Sequence, residues 1–337
     1  MTKAKSTKAS PASSGRISLN PPDSARQVQF YQLLVGARKQ WFLDALSEAL
    51  GQIPQKTVKE QIGKYVPQDA QRILAAAGLR DEFVFPVPAV LEQKPSLVGY
   101  YRLLLGAPQK GFYKGATGMG RFKSMEESDV IREGQRMYLP EFCSAMARSL
   151  AGLVTQIPKI SERDVRELPL LTYGSQLQGS NNTRIGEKAM RDVFLVITET
   201  VRGFEVGRTG NTLKVRNSAG RTVLVSLSRD PDVSIQETIA EDIHRKVAIE
   251  VKGGTDLSNA HNRAGEAEKS HQKARNLGFP EFWTVIFKRG LDLRKLQRES
   301  PTTNHWFDIT EVLAREGKDW EDFRQRLAGT IGIPLRS

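Results

Sequence analysis

The chain has 337 residues, enough for two domains or for one large domain with an elaborate insertion. Hydrophobic residues at 39% and charged residues at 26% exclude a disordered or fibrous class for most of it, and no apolar run approaches the ~18 residues of a membrane span. Lys and Arg number 50 against 38 Asp and Glu, and the net charge of +12 calls for a polyanionic partner, either nucleic acid or an anionic membrane surface.

Residues 1–25 are rich in Ser, Lys, Pro and Ala with almost no large apolar groups, which predicts a flexible basic tail. The opening MTKAKSTKASPASSGR lacks the apolar stretch of a secretory signal, so a soluble, cytoplasmic protein is expected. From 26 to 165 helical patterns dominate: Phe30, Leu33, Leu34 and then Trp41, Phe42, Ala45, Leu46 recur at three- and four-residue steps. The glycine-rich, basic stretch from Lys110 to Lys123 reads as an exposed loop, either a plain linker or backbone that approaches phosphates. The single cysteine, Cys143, lies where Phe142, Met146, Leu150 and Leu153 recur at helical spacing and is expected to be a buried helix residue. Alone it builds neither an internal disulfide nor a zinc site.

After residue 166 short β-rich segments alternate with helical ones. The pattern predicts a helix from Gly186 or Glu187 to about Thr200, then FEVGRTGNTLKVRN as a strand or a hairpin around Gly210-Asn211. TVLVSLS leading into RDPDVSIQETI follows, and then the apolar strand KVAIEV. A helix over Asn262 to Asn276, closed by Gly278, and a strand EFWTVIFK complete the order α-β-β-β-α-β. The expected fold is mixed α/β: a mainly helical region at 26–165, then a second domain at 166–337.

Alternation along KVAIEVK sets Val247, Ile249 and Val251 on one face and Ala248, Glu250 and Lys252 on the other. In DVSI, Asp232 and Ser234 share a face opposite Val233 and Ile235. The 18-residue separation of Asp232 and Glu250 lets the chain return as the adjacent antiparallel strand, so both carboxylates can meet one divalent cation. A lysine beside them suits a site that activates water against a phosphate.

Pro231-Asp232 followed by Glu250-Val251-Lys252 resembles the PD-(D/E)XK motif of many restriction and repair nucleases, whose core order also matches. The resemblance implies that Asp232, Glu250 and the Val251 carbonyl bind Mg²⁺, and that Lys252 positions or deprotonates the attacking water. Glu187 occupies the place of a further acidic residue that some members carry on the helix before the first core strand. It reads equally as a surface residue in a helix first turn. Gly253-Gly254 follows directly, where missing side chains would let a phosphate backbone come close. The continuation KGGTDLSNAHNRAGEAEKSHQKA is similar to type II restriction endonucleases of the XcyI or ApaLI kind, most strongly over 231–285, and Lys252 to Asp256 resembles the AvaI type. SQLQGSNNTRIGEK, at 175–188, looks restriction-enzyme-like as well. The resemblance implies Mg²⁺-dependent cleavage of double-stranded DNA at a short palindromic site by a nuclease domain at 166–337, with the helical region at 26–165 serving DNA recognition or dimerisation and CCGG-containing hexamers as the family-level expectation. It also implies 5′-phosphate ends and a homodimer that mirrors the DNA two-fold.

Asp256, Ser258, Asn259, His261, Asn262 and Arg263 bring base-edge donors and acceptors just past the lysine, or else cap a helix. On that helix Ala264, Ala267, His271 and Ala274 form a stripe expected to pack on the sheet, with His271 as a hydrogen-bonded packing residue. Lys269 and Lys273 touch phosphates or face water. His261 and His271 lack zinc-ligand spacing, and no G-x-x-x-x-G-K-[ST] loop is present, so neither zinc nor a nucleotide cofactor is expected. Two other readings stay open: a structure-specific PD-(D/E)XK nuclease of repair or recombination, and a non-catalytic DNA-binding protein.

Overall fold

The computed structural model describes residues 24–115, 118–254 and 260–335, which leaves nearly all of the basic tail outside it. The chain divides into two compact units, residues 1–177 and 178–337. The division falls inside one continuous helix, Glu162–Val201, where the sequence suggested a boundary near 165 and a new helix start at Gly186 or Glu187. Pro169, Gly174, Gly179 and Gly186 punctuate that stretch and read as helix breakers. Packing overrides them: Val165 and Tyr173 join the core of the first unit, while Ala189, Val193, Ile197 and Val201 join that of the second. Such burial outweighs a cost of about 1 kcal/mol per helical glycine.

The described part of the first unit is helical, with no strand. In the helix Leu139–Gln156, Phe142, Cys143, Met146, Leu150 and Val154 are buried on one face, as the periodicity requires. The Lys110–Lys123 stretch is not an exposed loop. It forms the helix Gln109–Lys114 and a 3-10 turn Met119–Phe122, with Phe112, Tyr113 and Phe122 buried. Its glycines serve close packing: a Cβ on Gly120 would sit 2.8 Å from the Tyr113 carbonyl oxygen.

The second unit is built on a seven-stranded sheet ordered β1 to β7 in sequence. The strands are β1 (Glu205–Thr209), β2 (Thr212–Arg216), β3 (Thr222–Leu227), β4 (Val233–Ile239), β5 (Asp242–Lys252), β6 (Glu281–Ile286) and β7 (His305–Asp308). β1 to β5 form an antiparallel meander, and β5, β6 and β7 are parallel. Where three strands were expected before the helix there are five, because Gly210 at φ 56° turns a β1/β2 hairpin and TVLVSLS and DVSIQETI are separate strands. β7, too short to show a pattern, was not anticipated.

Each face of the sheet is covered, as parallel strands demand. Val233, Ile235, Val247, Ile249, Val251, Trp283 and Phe307 pack with the long helix and with Phe323 and Leu327 of the helix Lys318–Ile331. On the opposite face Ala248 packs with Ala274, Phe279 and Phe282, which seats the helix Ala260–Asn276 over the β5–β6 crossover. The predicted stripe holds: Ala264, Ala267, His271 and Ala274 are all buried. No described helix is long and apolar enough to cross a membrane.

Candidate active site

The site begins with a register. β4 and β5 join through a two-residue turn in which Ala240 and Glu241 both have positive φ, 49° and 74°. Near that turn Gln236 faces Arg245, but beyond it Ile235 faces Val247 and Val233 faces Ile249. Lys246 is therefore a β-bulge residue, and it moves the register by one place. Carried one residue further, the shifted register sets Asp232 opposite Glu250; without the bulge Asp232 would face Ile249.

Asp232 is fastened there by the Val251 N–H, which donates to its Oδ2 at 2.8 Å. Glu250 is buried, and its Oε1 accepts from Lys252 Nζ at 2.7 Å and from Ser270 Oγ at 3.1 Å. The structure thus brings Asp232, Glu250 and Lys252 together, and adds Ser270 from the helix Ala260–Asn276. Sequence reasoning passed over Ser270, although its place beside the Ala267–His271 stripe pointed it at the sheet.

Burial, reinforced by the Glu250 charge, pushes the Asp232 carboxyl up to about 7 against the pull of the Val251 N–H and Lys252. Burial likewise raises Glu250, more than Lys252 and Ser270 lower it. For Lys252, burial opposes the charge, but Glu250, Asp232 and Glu266 together hold the amine above its ordinary value. Lys252 is therefore an ammonium. Two desolvated carboxylates with a single lysine between them form a site short of positive charge.

Other predicted residues are spread around this centre. Lys273 pairs with Asp230 at 2.6 Å, and His261 Nδ1 lies 2.8 Å from Glu299, so both already hold partners within the chain. Asn262 and Lys269 are exposed, and Arg263 is half-buried. Asp256, Ser258 and Asn259 lie outside the described residues. Glu187 is not in a first turn: it stands inside the long helix, exposed, 3.6 Å from Arg191. Ile185 and Ala189 face Gly253, and a residue midway between them in the helical rotation points the other way, so Glu187 is directed away from the end of β5.

Gly253 is used differently from the expectation: a Cβ there would overlap the Ala189 methyl, so packing against the long helix accounts for it, whereas a Cβ on Gly254 would meet the guanidinium tip of Arg263, a flexible group, 2.5 Å away at Nη1.

His271 is fully buried with Nε2 2.9 Å from Thr284 Oγ1. Burial, aided by Lys252 and opposed by Glu268, lowers its pKa from 6.5 to about 4. The unfolded chain takes up this proton first, so the stabilisation is complete above pH 6.5 and is lost as pH falls toward 4, on the order of 3 kcal/mol in all. Denaturant titrations across that range are expected to show this slope, and His271→Gln to flatten it; an unchanged slope in the variant would assign the pH dependence elsewhere.

The family model for XcyI restriction endonuclease matches residues 31–334. The chain is 40% identical over 317 residues to type II restriction enzyme Cfr9I of Citrobacter freundii, covering 93% of this chain and 96% of the relative. It is 40% identical over 324 residues to type II restriction enzyme XcyI of Xanthomonas campestris pv. cyanopsidis, covering 94% and 97%.

Proposed function

This chain belongs to the XcyI restriction endonuclease family and is a type II restriction enzyme, a site-specific DNA nuclease, and from that premise we propose that it hydrolyses double-stranded DNA with Mg²⁺ held at Asp232 and Glu250. The observation that carries the reading is Glu250 Oε2: it is buried without a hydrogen-bond partner, beside a second desolvated carboxylate. Among the described residues no three His, Cys, Asp or Glu side chains cluster, so two carboxylates and the Val251 carbonyl would make up the protein's share of the shell. The donors are hard oxygens, and the unmatched negative charge fits a divalent cation.

Bound there, Mg²⁺ supplies charge stabilisation at the phosphate and a more acidic water. Asp232 and Glu250 would hold that cation at one end of β5 and so set where a phosphate oxygen can approach. Lys252, an ammonium held by Glu250, donates a hydrogen bond toward the attacking water or the phosphate rather than removing a proton. This core is our PD-(D/E)XK assignment, with β4 and β5 carrying the acids and the helix Ala260–Asn276 backing them. Two copies act as a homodimer on a palindromic site, one active site per strand, leaving 5′-phosphate ends. Family membership favours this over a structure-specific repair nuclease or a non-catalytic DNA-binding protein.

The test incubates the protein with plasmid DNA and Mg²⁺ and sequences the fragment ends, with Glu250→Ala and a chelated sample in parallel. Discrete fragments sharing one palindromic end, lost in both controls, are expected. Cleavage that survives Glu250→Ala would remove this site from consideration.

A further inference from the structure

The terminal torsion of a glutamate is broad, so which carboxylate oxygen faces a ligand is set by the hydrogen bonds the group makes. For Glu250 they are one-sided. Oε1 accepts from both Lys252 and Ser270, which occupies its two lone-pair directions, while Oε2 is buried and has no hydrogen-bond partner. The two donors differ in kind. Lys252 stands two residues away on the same strand and has a flexible stem that follows the carboxylate. Ser270 has one short hydroxyl on a helix that is locked to the sheet: Ala267, His271 and Ala274 are buried beneath it, and His271 hydrogen-bonds Thr284, the β6 partner of Glu250 in the register.

We propose that Ser270 is a positioning residue, which ties down Oε1 and so presents Oε2 of Glu250 as the single ligating oxygen of that side chain. This rests on the reading of Asp232 and Glu250 as the cation site. Removing the hydroxyl leaves Oε1 with the mobile lysine alone and lets the carboxylate rotate.

Mn²⁺ binding to the DNA-free protein, followed by electron paramagnetic resonance, separates the two claims. Ser270→Ala is expected to weaken Mn²⁺ binding roughly tenfold, the range for losing a partner behind a metal ligand. Ser270→Cys, close in size but a poor donor, is expected to show the same loss, and Ser270→Thr to restore binding. The Mg²⁺ concentration that half-saturates cleavage should rise in parallel, with the rate at saturating Mg²⁺ little changed. A purely structural serine would instead lower the melting temperature of all three variants and leave the affinity of the folded fraction alone. Wild-type affinity in the Ala or Cys variant, with binding lost in Glu250→Gln, overturns the role of Ser270 and spares the site. Wild-type affinity in Glu250→Gln overturns the site itself.

Discussion

Asp232→Asn is expected to lower DNA cleavage by on the order of 10³-fold or more while making the chelated protein more stable at pH 8. The activity loss follows from removing one of two acidic ligands, worth several kcal/mol of charge stabilisation at the phosphate. The stability gain follows from burial. Asp232 titrates near 7 in the fold against 3.8 as a free side chain, so ionising it costs folding energy. The sign is opposite to that of a salt-bridged aspartate: stability falls as pH rises from 3.8 to 7, and above 7 the full cost is present. Asparagine carries no charge, yet its carbonyl oxygen still accepts the Val251 N–H, which alanine would leave unpaired. The gain should reach a few kcal/mol at pH 8 and vanish below pH 4. Saturating Mg²⁺ should narrow the gap, because the cation stabilises the wild type alone. Cleavage within tenfold of wild type, or a variant less stable than wild type at pH 8, would refute this account.

That trade of stability for chemistry also explains what could be read from the chain in advance. KVAIEVK alternates because one face of β5 must pack on the long helix, and Glu250 and Lys252 stand out because they break the apolar pattern where a sheet strand would bury them. The stripe Ala264, Ala267, His271, Ala274 was legible for the same reason: small residues at helical spacing let the helix approach the sheet. The alignment of Asp232 with Glu250 was not legible, since it depends on a bulge at Lys246 that only cross-strand pairing defines. Ser270 was passed over because a lone serine adds nothing to the apolar stripe, and only its position beside Ala267 and His271 turned it toward the sheet. The long helix was misread because local breakers outnumber the signals that favour it, and tertiary burial decides the matter. Residues that act through partners distant in sequence are the ones a single chain conceals.

Gly253→Ala tests how tightly the end of β5 is built. The added methyl would overlap the Ala189 side chain and stand 3.0 Å from the Ile185 carbonyl oxygen, both on a helix whose next turns are locked by Val193, Val196 and Ile197. The helix backbone has little room to yield, so the end of β5 moves, and Lys252 with it. Overpacking of this kind costs about 1–3 kcal/mol. A second loss should appear in catalysis: Lys252 Nζ now lies 2.7 Å from Glu250, and a displacement near 1 Å in a catalytic group is worth roughly 10²-fold in rate. Ala189→Gly removes the methyl that collides, at a cost of about 1 kcal/mol to the helix. The double variant is therefore expected to recover most of the cleavage rate while remaining less stable than wild type, because a glycine now sits within the helix. Equal cleavage by Gly253→Ala and wild type would show that the strand end adjusts freely, and no recovery in the double variant would place the obstruction at the Ile185 carbonyl rather than at the methyl of Ala189.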